Sequence, residues 1–251
     1  RYLDPRNDKE FCSIDNQKKW MPLNFYSGGA EQTTMHLLYS RFWNKALFDM
    51  GLTTQSEYCT LRMNRGLILG TDGNKMSKSK GNVIDPDDIV MRLGADTVRM
   101  YLAFIGPFNE TGSYPWDANG VVGIRRFLER VFYASEKVSD SVMAQNKILH
   151  ESIKKVTTDI AILKYNTAIS QLMIHSNSWA TCENISRQEY MIFLQLLAPF
   201  APHLAEELWS KNEGQNSVHQ SNWPKFDEQY LVVNSVTLGV QVNGRLRGSI
   251  E

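Results

Sequence analysis

Cysteine is scarce and unpatterned in this chain. The three cysteines, Cys12, Cys59 and Cys182, lie far apart, and no C-x-x-C occurs. This argues against a zinc ribbon or a disulfide framework and fits a reducing compartment. No apolar run nears the ~20 residues that span a bilayer, and no secretory leader is visible. Neither charge sign is in excess: 27 Lys and Arg balance 27 Asp and Glu, so the total does not mark a strongly basic nucleic-acid binder. Internal repeats and low-complexity tracts are missing, as is the P-loop pattern G-x-x-x-x-G-K-[ST]. What remains is an ordinary globular composition, 42% hydrophobic and 22% charged over 251 residues, enough for one large domain or two smaller ones. The chain starts at Arg1 rather than Met and ends inside a strand pattern. It therefore reads as a piece of a longer protein, and a missing leader carries little weight.

Charge is balanced overall but not locally. Between Arg62 and Lys80 the bases Arg62, Arg65, Lys75, Lys78 and Lys80 face one acid, Asp72. The centre of this stretch is Lys75-Met76-Ser77-Lys78-Ser79-Lys80-Gly81-Asn82, directly after the apolar run Gly66-Leu67-Ile68-Leu69. A loop this cationic suits a ligand with several negative charges, a nucleoside triphosphate first. Lysines on such a loop can meet charge that grows on departing phosphates, which favours the transition state over the ground state. Ser77 and Ser79 can bond phosphate oxygens or neighbouring backbone, and Gly81 admits a conformation that a Cβ resists. A solvated basic turn is the bland alternative for any lysine-rich loop. The strand before it and the capped helix after it weigh against that alternative.

The pattern along the chain predicts a mixed α/β part to about residue 105, then an antiparallel helical bundle to about 228, then the start of a small β-containing domain. Residues 1–27 read as irregular. Gly28-Gly29 is expected to open a helix over about 31–50, with Met35, Leu38, Tyr39, Phe42 and Ala46 as a buried stripe and Gly51 as its stop. Leu67 to Leu69 reads as a short buried strand. Asp85-Pro86 gives an N-cap and a proline at N1 for a helix to Leu93, and Asp96 is expected to cap the next. Asp117 should cap a long helix with Val121, Ile124, Leu128, Val131, Ser135 and Val138 on one face. Further helices are expected over roughly 151–164, 166–179 and 187–198, the last with Ser186 and Glu189 as a capping box. Residues 236–250 read as a hairpin around a type I′ Asn243-Gly244 turn.

A second candidate site is Tyr26-Ser27-Gly28-Gly29-Ala30-Glu31-Gln32-Thr33-Thr34-Met35-His36. Two glycines ahead of a helix permit close approach by a ligand, and the free N–H groups there favour anions. Glu31 and Gln32 could bond a ribose or an amine, with His36 one turn on. An ordinary glycine-opened helix with a satisfied histidine is the competing reading. In the bundle, Arg125, Arg126 and Arg130 could meet nucleic-acid phosphates, or could simply belong to a solvated face that also carries Glu129.

Lys75 to Ser79 spell KMSKS, which resembles the signature loop of class I aminoacyl-tRNA synthetases. YSGGAEQTTMHLLYSRFWNKALFDMGL, LRMNRGLILG, KMSKSKGNVIDPDDIVMRLGADTVRMYLAF, LLAPFAPHLAEELW, the Trp223-Pro224 pair and VQVNGRLRG together resemble the leucyl-tRNA synthetases of bacteria and organelles over nearly the whole chain. KMSKS alone indicates only the class, and the GGAE…HLLYSRFW block favours leucine over the valine and isoleucine enzymes.

The resemblance implies the C-terminal part of a Rossmann-like catalytic domain (1–105), an anticodon-binding domain (106–228) and the start of a C-terminal domain (229–251). It implies ATP-dependent activation of leucine and transfer to tRNA(Leu), with Mg²⁺ on the leaving pyrophosphate and no metal cage built by protein alone. Lys75 and Lys78 would be catalytic, with Lys78 the main activation residue. Gly28, Gly29, Glu31 and Gln32 would lie along the adenosine, backbone at Leu67 and Ile68 along the adenine, and Ser77 and Ser79 by the phosphates. His36 would reach the adenylate and leucine pocket. Arg125, Arg126 and Arg130 would contact tRNA without reading bases. A monomer in the cytoplasm or an organellar matrix is implied.

Departures are visible. Gln32 stands where the family usually has His, and it can hydrogen-bond but cannot become cationic. The connection from Ile68 to Lys75 has no room for the module many relatives insert there. H-x-G-H, the family's other ATP signature, and an editing domain are absent from this sequence, so the segment alone is expected not to charge tRNA although its parent does. A non-catalytic tRNA-binding module, and a valyl- or isoleucyl-type segment, are the alternatives.

Overall fold

The structure, a computed structural model, describes residues 2–108, 110–141, 146–212, 214–231, 238–242 and 245–250. It forms two compact units, residues 1–124 with 162–166 and residues 125–161 with 167–251.

The first unit begins with α1 (Ile14–Trp20), where the Ser13 hydroxyl accepts the Asn16 N–H and so satisfies an amide that the helix cannot. Buried Gln17 anchors it by donating to the Cys12 and Leu52 carbonyls and accepting the Thr54 N–H. β1 (Tyr26–Gly29) and β2 (Arg62–Arg65) pair in parallel, Tyr26 beside Arg62 and Gly28 beside Asn64. Parallel neighbours need a crossover, and α2 (His36–Asp49) provides it. A second parallel pair joins β3 (Ile68–Leu69) to β4 (Tyr114–Pro115). Between these strands run α3 (Pro86–Leu93) and α4 (Ala95–Phe104). Asp85 accepts the Asp87 N–H and Pro86 stands at N1, the cap that the sequence predicts. Tyr101 of α4 is buried, and its hydroxyl accepts the Asp117 N–H at 2.8 Å. That bond fixes the entrance to α5 (Ala118–Ala134), which crosses the boundary between the units.

In the second unit α5 buries Phe127, Leu128 and Val131, each apolar side chain contributing about 1.5–3 kcal/mol when fully buried. α6 (Lys147–Ala161), α7 (Tyr165–Ser178), α8 (Arg187–Leu197) and α9 (Pro202–Lys211) complete its helices. β5 (Val138–Ser139) and β6 (Ile185–Ser186) form a short parallel pair. The Tyr190 hydroxyl donates to the Val131 carbonyl at 2.8 Å, locking α8 to α5 inside the core. β7 (Leu238–Val242) and β8 (Arg245–Ile250) pair antiparallel, as the hairpin expectation requires; Asn243 and Gly244 lie outside the described residues.

Several expectations are corrected. Residues 1–27 are not all irregular, since α1 and β1 lie there. Gly28 and Gly29 close a strand instead of opening a helix; a 3-10 turn covers Ala30–Thr33 and α2 starts at His36. The stripe on α2 is reversed. Met35, Leu38, Tyr39 and Phe42 are 60–72% exposed, while Asn44 and Leu47 are buried. The face turned inward is the one whose polar groups find partners: Ser40 donates to the Tyr58 hydroxyl and Asn44 to the Gln55 carbonyl. β3 is half-buried, not buried. Gly94, not Asp96, is the N-cap of α4, and Asp96 sits buried in its first turn. α5 stops at Ala134, so Ser135 and Val138 leave the predicted stripe for a 3-10 turn and β5.

The Ser186–Glu189 capping box does not form. Ser186 makes no side-chain cap bond, and Glu189 turns inward. Its carboxylate accepts from Trp179 Nε1 at 2.8 Å and Asn146 Nδ2 at 2.7 Å, and bonds His175 Nε2 at 2.9 Å. Partners inside the core outcompete the local backbone for this side chain.

Candidate nucleotide site and comparisons with known proteins

The cationic loop is built as a small closed unit. β3 turns back at Gly70-Thr71-Asp72-Gly73, where Gly73 takes a φ of 72° and donates to the Gly70 carbonyl; glycine tolerates this left-handed backbone without strain. Gly70 N–H then donates to the Asn74 carbonyl at 2.8 Å, and Leu69 bridges Lys75. Lys75 therefore leaves a tight hairpin rather than a free coil. Lys78 to Lys80 form one 3-10 turn that Gly81 ends at φ 65°. The Ser77 and Ser79 hydroxyls bond each other at 2.8 Å, so they are pre-paired rather than both free.

The Asn82 side chain joins the two ends of this loop. Its oxygen accepts the Ser77 N–H at 2.8 Å, and its Nδ2 donates to both Asp72 oxygens at 3.2 Å and to the Lys75 carbonyl at 3.3 Å. The Asp72 carboxyl is held below its ordinary range by hydrogen bonds from the Asn74 backbone and then the Asn82 and Asn74 side chains. Sequence reasoning assigned neither Asp72 nor Asn82 a role. Nothing local says that a residue after the loop reaches back to the turn before it.

The structure brings the two candidate motifs together at one point. Lys75 Nζ lies 3.8 Å from Glu31 Oε1, both side chains being solvent-exposed. Glu31 folds against the end of β1, where a Cβ on Gly29 would stand 2.6 Å from Glu31 Oε2. A Cβ on Gly28 would meet Arg62 Nη1 at 2.8 Å. The absence of a Cβ at both glycines lets the ends of the Arg62 and Glu31 side chains lie against this strand end. Gln32 lies exposed in the 3-10 turn. Among the described residues no carboxylate is within ion-pair distance of Lys78.

His36 begins α2, where Tyr26 bonds its Nε2 and stacks on its ring. Leu67 spends its carbonyl on the Tyr114 N–H, and Leu69 spends its own on Trp116. Because backbone groups alternate along a strand, the N–H and C=O of Ile68 face the other edge. The bases Arg125, Arg126 and Arg130 belong to the second unit. Arg125 is paired with Glu129 at 2.8 Å, whereas Arg126 and Arg130 are exposed one helical turn apart. Among the described residues no group of three or more His, Cys, Asp or Glu could hold a metal ion. No helix among them is long and apolar enough to cross a membrane.

Comparison with known proteins agrees with this architecture. Residues 7–111 match the family of class I tRNA synthetases for isoleucine, leucine, methionine and valine, and residues 146–251 match the anticodon-binding domain of tRNA ligases. A leucine–tRNA ligase of Leptospira biflexa is 47% identical over 99% of this chain and 29% of its own length. One of Bdellovibrio bacteriovorus is 44% identical over 100% of this chain and 32% of its own length. The crystal structure of Agrobacterium radiobacter K84 LeuRS, a ternary complex with tRNA and LeuAMS, superimposes with a TM-score of 0.76 and 31% identity over 95% of this chain and 33% of that one. Mycobacterium tuberculosis methionyl-tRNA synthetase shares the fold, with a TM-score of 0.52 and 19% identity over 76% of this chain and 44% of that one. This chain thus spans 29–32% of those two curated relatives, and its two matched segments are those of a class I tRNA synthetase and of a tRNA-ligase anticodon-binding domain.

Proposed function

We propose that this chain is the nucleotide-facing and tRNA-facing part of a leucine–tRNA ligase, which activates leucine with ATP and transfers it to tRNA(Leu). The observation that carries the reading is the meeting of Lys75 with Glu31, which joins the KMSKS loop to the Gly28-Gly29-Ala30-Glu31 strand end. In the reaction, a leucine carboxylate oxygen attacks the α-phosphorus of ATP and pyrophosphate departs. Charge then accumulates on the β- and γ-phosphates. Lys75 and Lys78 meet that charge from a loop whose backbone is already closed, so little reorganisation is needed as the bond breaks. Lys75 trades its exposed contact with Glu31 for phosphate. Glu31, so released, can accept from a ribose hydroxyl beside Gly28 and Gly29, with Gln32 as a neutral neighbour. The backbone at Leu67 and Ile68 lies along the adenine, and Ser77 and Ser79 exchange their mutual bond for phosphate oxygens. His36, pinned by Tyr26, borders the adenylate and leucine pocket.

Mg²⁺ accompanies this reading as the counter-ion that arrives on the nucleotide and neutralises the leaving pyrophosphate. The division by role follows the chain: 1–105 for activation, 106–228 for tRNA and 229–251 as the start of a further domain. The exposed Arg126 and Arg130, with Arg125 beside them, suit tRNA phosphates. The working form is a monomer in the cytoplasm or an organellar matrix.

The test is leucine-dependent ATP–pyrophosphate exchange by the full-length protein carrying Lys75→Ala and Lys78→Ala. Loss of one such contact costs about 3–4 kcal/mol, so kcat should fall by a factor on the order of 10²–10³ for each substitution. Undiminished exchange would refute the role of the loop. Exchange driven by valine or isoleucine and not by leucine would change the substrate.

A further inference from the structure

We propose that Asp72 and Asn82 are positioning residues for amino-acid activation, acting as a clasp that sets the backbone from which Lys75 and Lys78 reach the nucleotide. The inference rests on the reading of this loop as a polyphosphate-binding element. One amide side chain grips three points: the Ser77 N–H, the Lys75 carbonyl and the Asp72 carboxylate. Two of those are backbone atoms on either side of Met76, so Asn82 dictates the path of the chain through the first half of KMSKS. The third belongs to the hairpin turn that follows β3. Asp72 is itself fixed there by the Asn74 N–H at 3.1 Å and the Asn74 amide at 3.2 Å. One side chain thereby adds a second tie between the cationic loop and the turn after β3, beside the backbone pairing of Leu69 with Lys75.

The Asp72 and Asn82 side chains lie directly against the Gly70 backbone. A Cβ on Gly70 would stand 2.7 Å from Asp72 Oδ1 and 3.1 Å from Asn82 Nδ2. The Asp72–Asn82 contact therefore occupies the space beside the first residue after β3. The chemistry is also directional. The Ser77 N–H requires an acceptor at position 82, and the Asp72 carboxylate requires a donor there. Only an amide meets both demands at this length. Asp at 82 would keep the acceptor but set a second carboxylate against Asp72, where like charges repel. Exchanging the two residues, Asn at 72 and Asp at 82, restores a donor–acceptor pair and leaves net charge unchanged. The exchanged pair also keeps an acceptor for the Ser77 N–H, and loses the bond to the Lys75 carbonyl and the bond from the Asn74 amide to residue 72.

Misplacement of a reacting group by about 1 Å costs on the order of 100-fold in rate. In the full-length protein, Asn82→Asp is expected to lower kcat for leucine-dependent pyrophosphate exchange on the order of 10- to 100-fold. The KM for leucine should stay unchanged, because the clasp acts on the nucleotide side. Asp72→Asn combined with Asn82→Asp should recover at least tenfold of that loss. Thermal unfolding is followed on the same samples, and if Asn82→Asp does not fold, Asn82→Ala carries the test with the same expected loss.

Wild-type exchange in Asn82→Asp or Asn82→Ala overturns the proposal. So does a kcat loss that the exchanged pair fails to recover while unfolding midpoints match the wild type. Lys75→Ala with Lys78→Ala, assayed in parallel, separates the two ideas. If that double variant retains exchange, the polyphosphate reading of the loop has failed. If it loses exchange while the Asn82 variants keep it, the clasp alone has failed.

Discussion

Arg62 carries a charge into a place with no counterpart for it. Its three guanidinium nitrogens are buried and have no hydrogen-bond partner among the described residues, and the Tyr26 ring lies 5.1 Å beneath them. A cation–π contact is worth about 0.5–2 kcal/mol, whereas taking an ion out of water costs several kcal/mol. Arg62→Met should therefore stabilise this chain by about 1 kcal/mol or more, read from the denaturant midpoint; a loss of stability would show that the ring outweighs desolvation. Glu189 is the opposite case, a buried charge fully served. Burial pushes its carboxyl up, but hydrogen bonds from His175, Trp179 and Asn146 outweigh that and leave it below the usual range. A depressed carboxyl contributes stability above its unfolded pKa and loses it as pH falls through the folded value. Glu189→Ala should cost about 3–5 kcal/mol at neutral pH. It should also flatten the decline in stability through the acid range, which denaturation curves from neutral to acid pH would measure. The sequence offered Glu189 only as a local cap. Its three real partners come from α7, the turn after it and the start of α6, and no spacing rule connects those positions.

At the scale of elements, α2 shows how a helix can be read correctly and turned the wrong way. Its two faces are both largely apolar, so periodicity alone has two solutions. Hydrogen bonding decides between them, because Ser40 and Asn44 lie on the side where Tyr58 and Gln55 can receive their protons. Leu38→Lys and Phe42→Glu should accordingly each change stability by no more than ~0.5 kcal/mol. If the opposite face were the packed one, each would cost several kcal/mol, so one thermal scan per variant is decisive. α3 was legible to the residue, because Asp85, Pro86 and Gly94 are local signals with local causes. β1 and β2 were not. Gly28 and Gly29 read as the opening of a helix until a parallel partner is available, and that partner comes from beyond the whole of α2.

For the whole molecule, the proposed tRNA contact of α5 rests on the number and exposure of its basic residues more than on any single one. Phosphate contacts release counter-ions, so affinity falls with salt. Arg126→Ala and Arg130→Ala in the full-length protein should each weaken binding to tRNA(Leu) and reduce the steepness of its salt dependence by about 1. Titrations at several salt concentrations test this, and an unchanged slope would remove both residues from the interface. Arg125, already paired with Glu129, should contribute less to that slope.

Local chemistry in the sequence was enough to locate the cationic loop, the capped helix after it, the long helices and the closing hairpin, because caps, turns and periodic apolar positions act over a few residues. Folding decided what no window of sequence contains: that Glu31 meets Lys75, that Asn82 reaches back to Asp72, that α2 exposes its most apolar side and that Glu189 faces inward. Each of those depends on a partner supplied by another element. A side chain with two possible partners takes the one that tertiary packing presents to it.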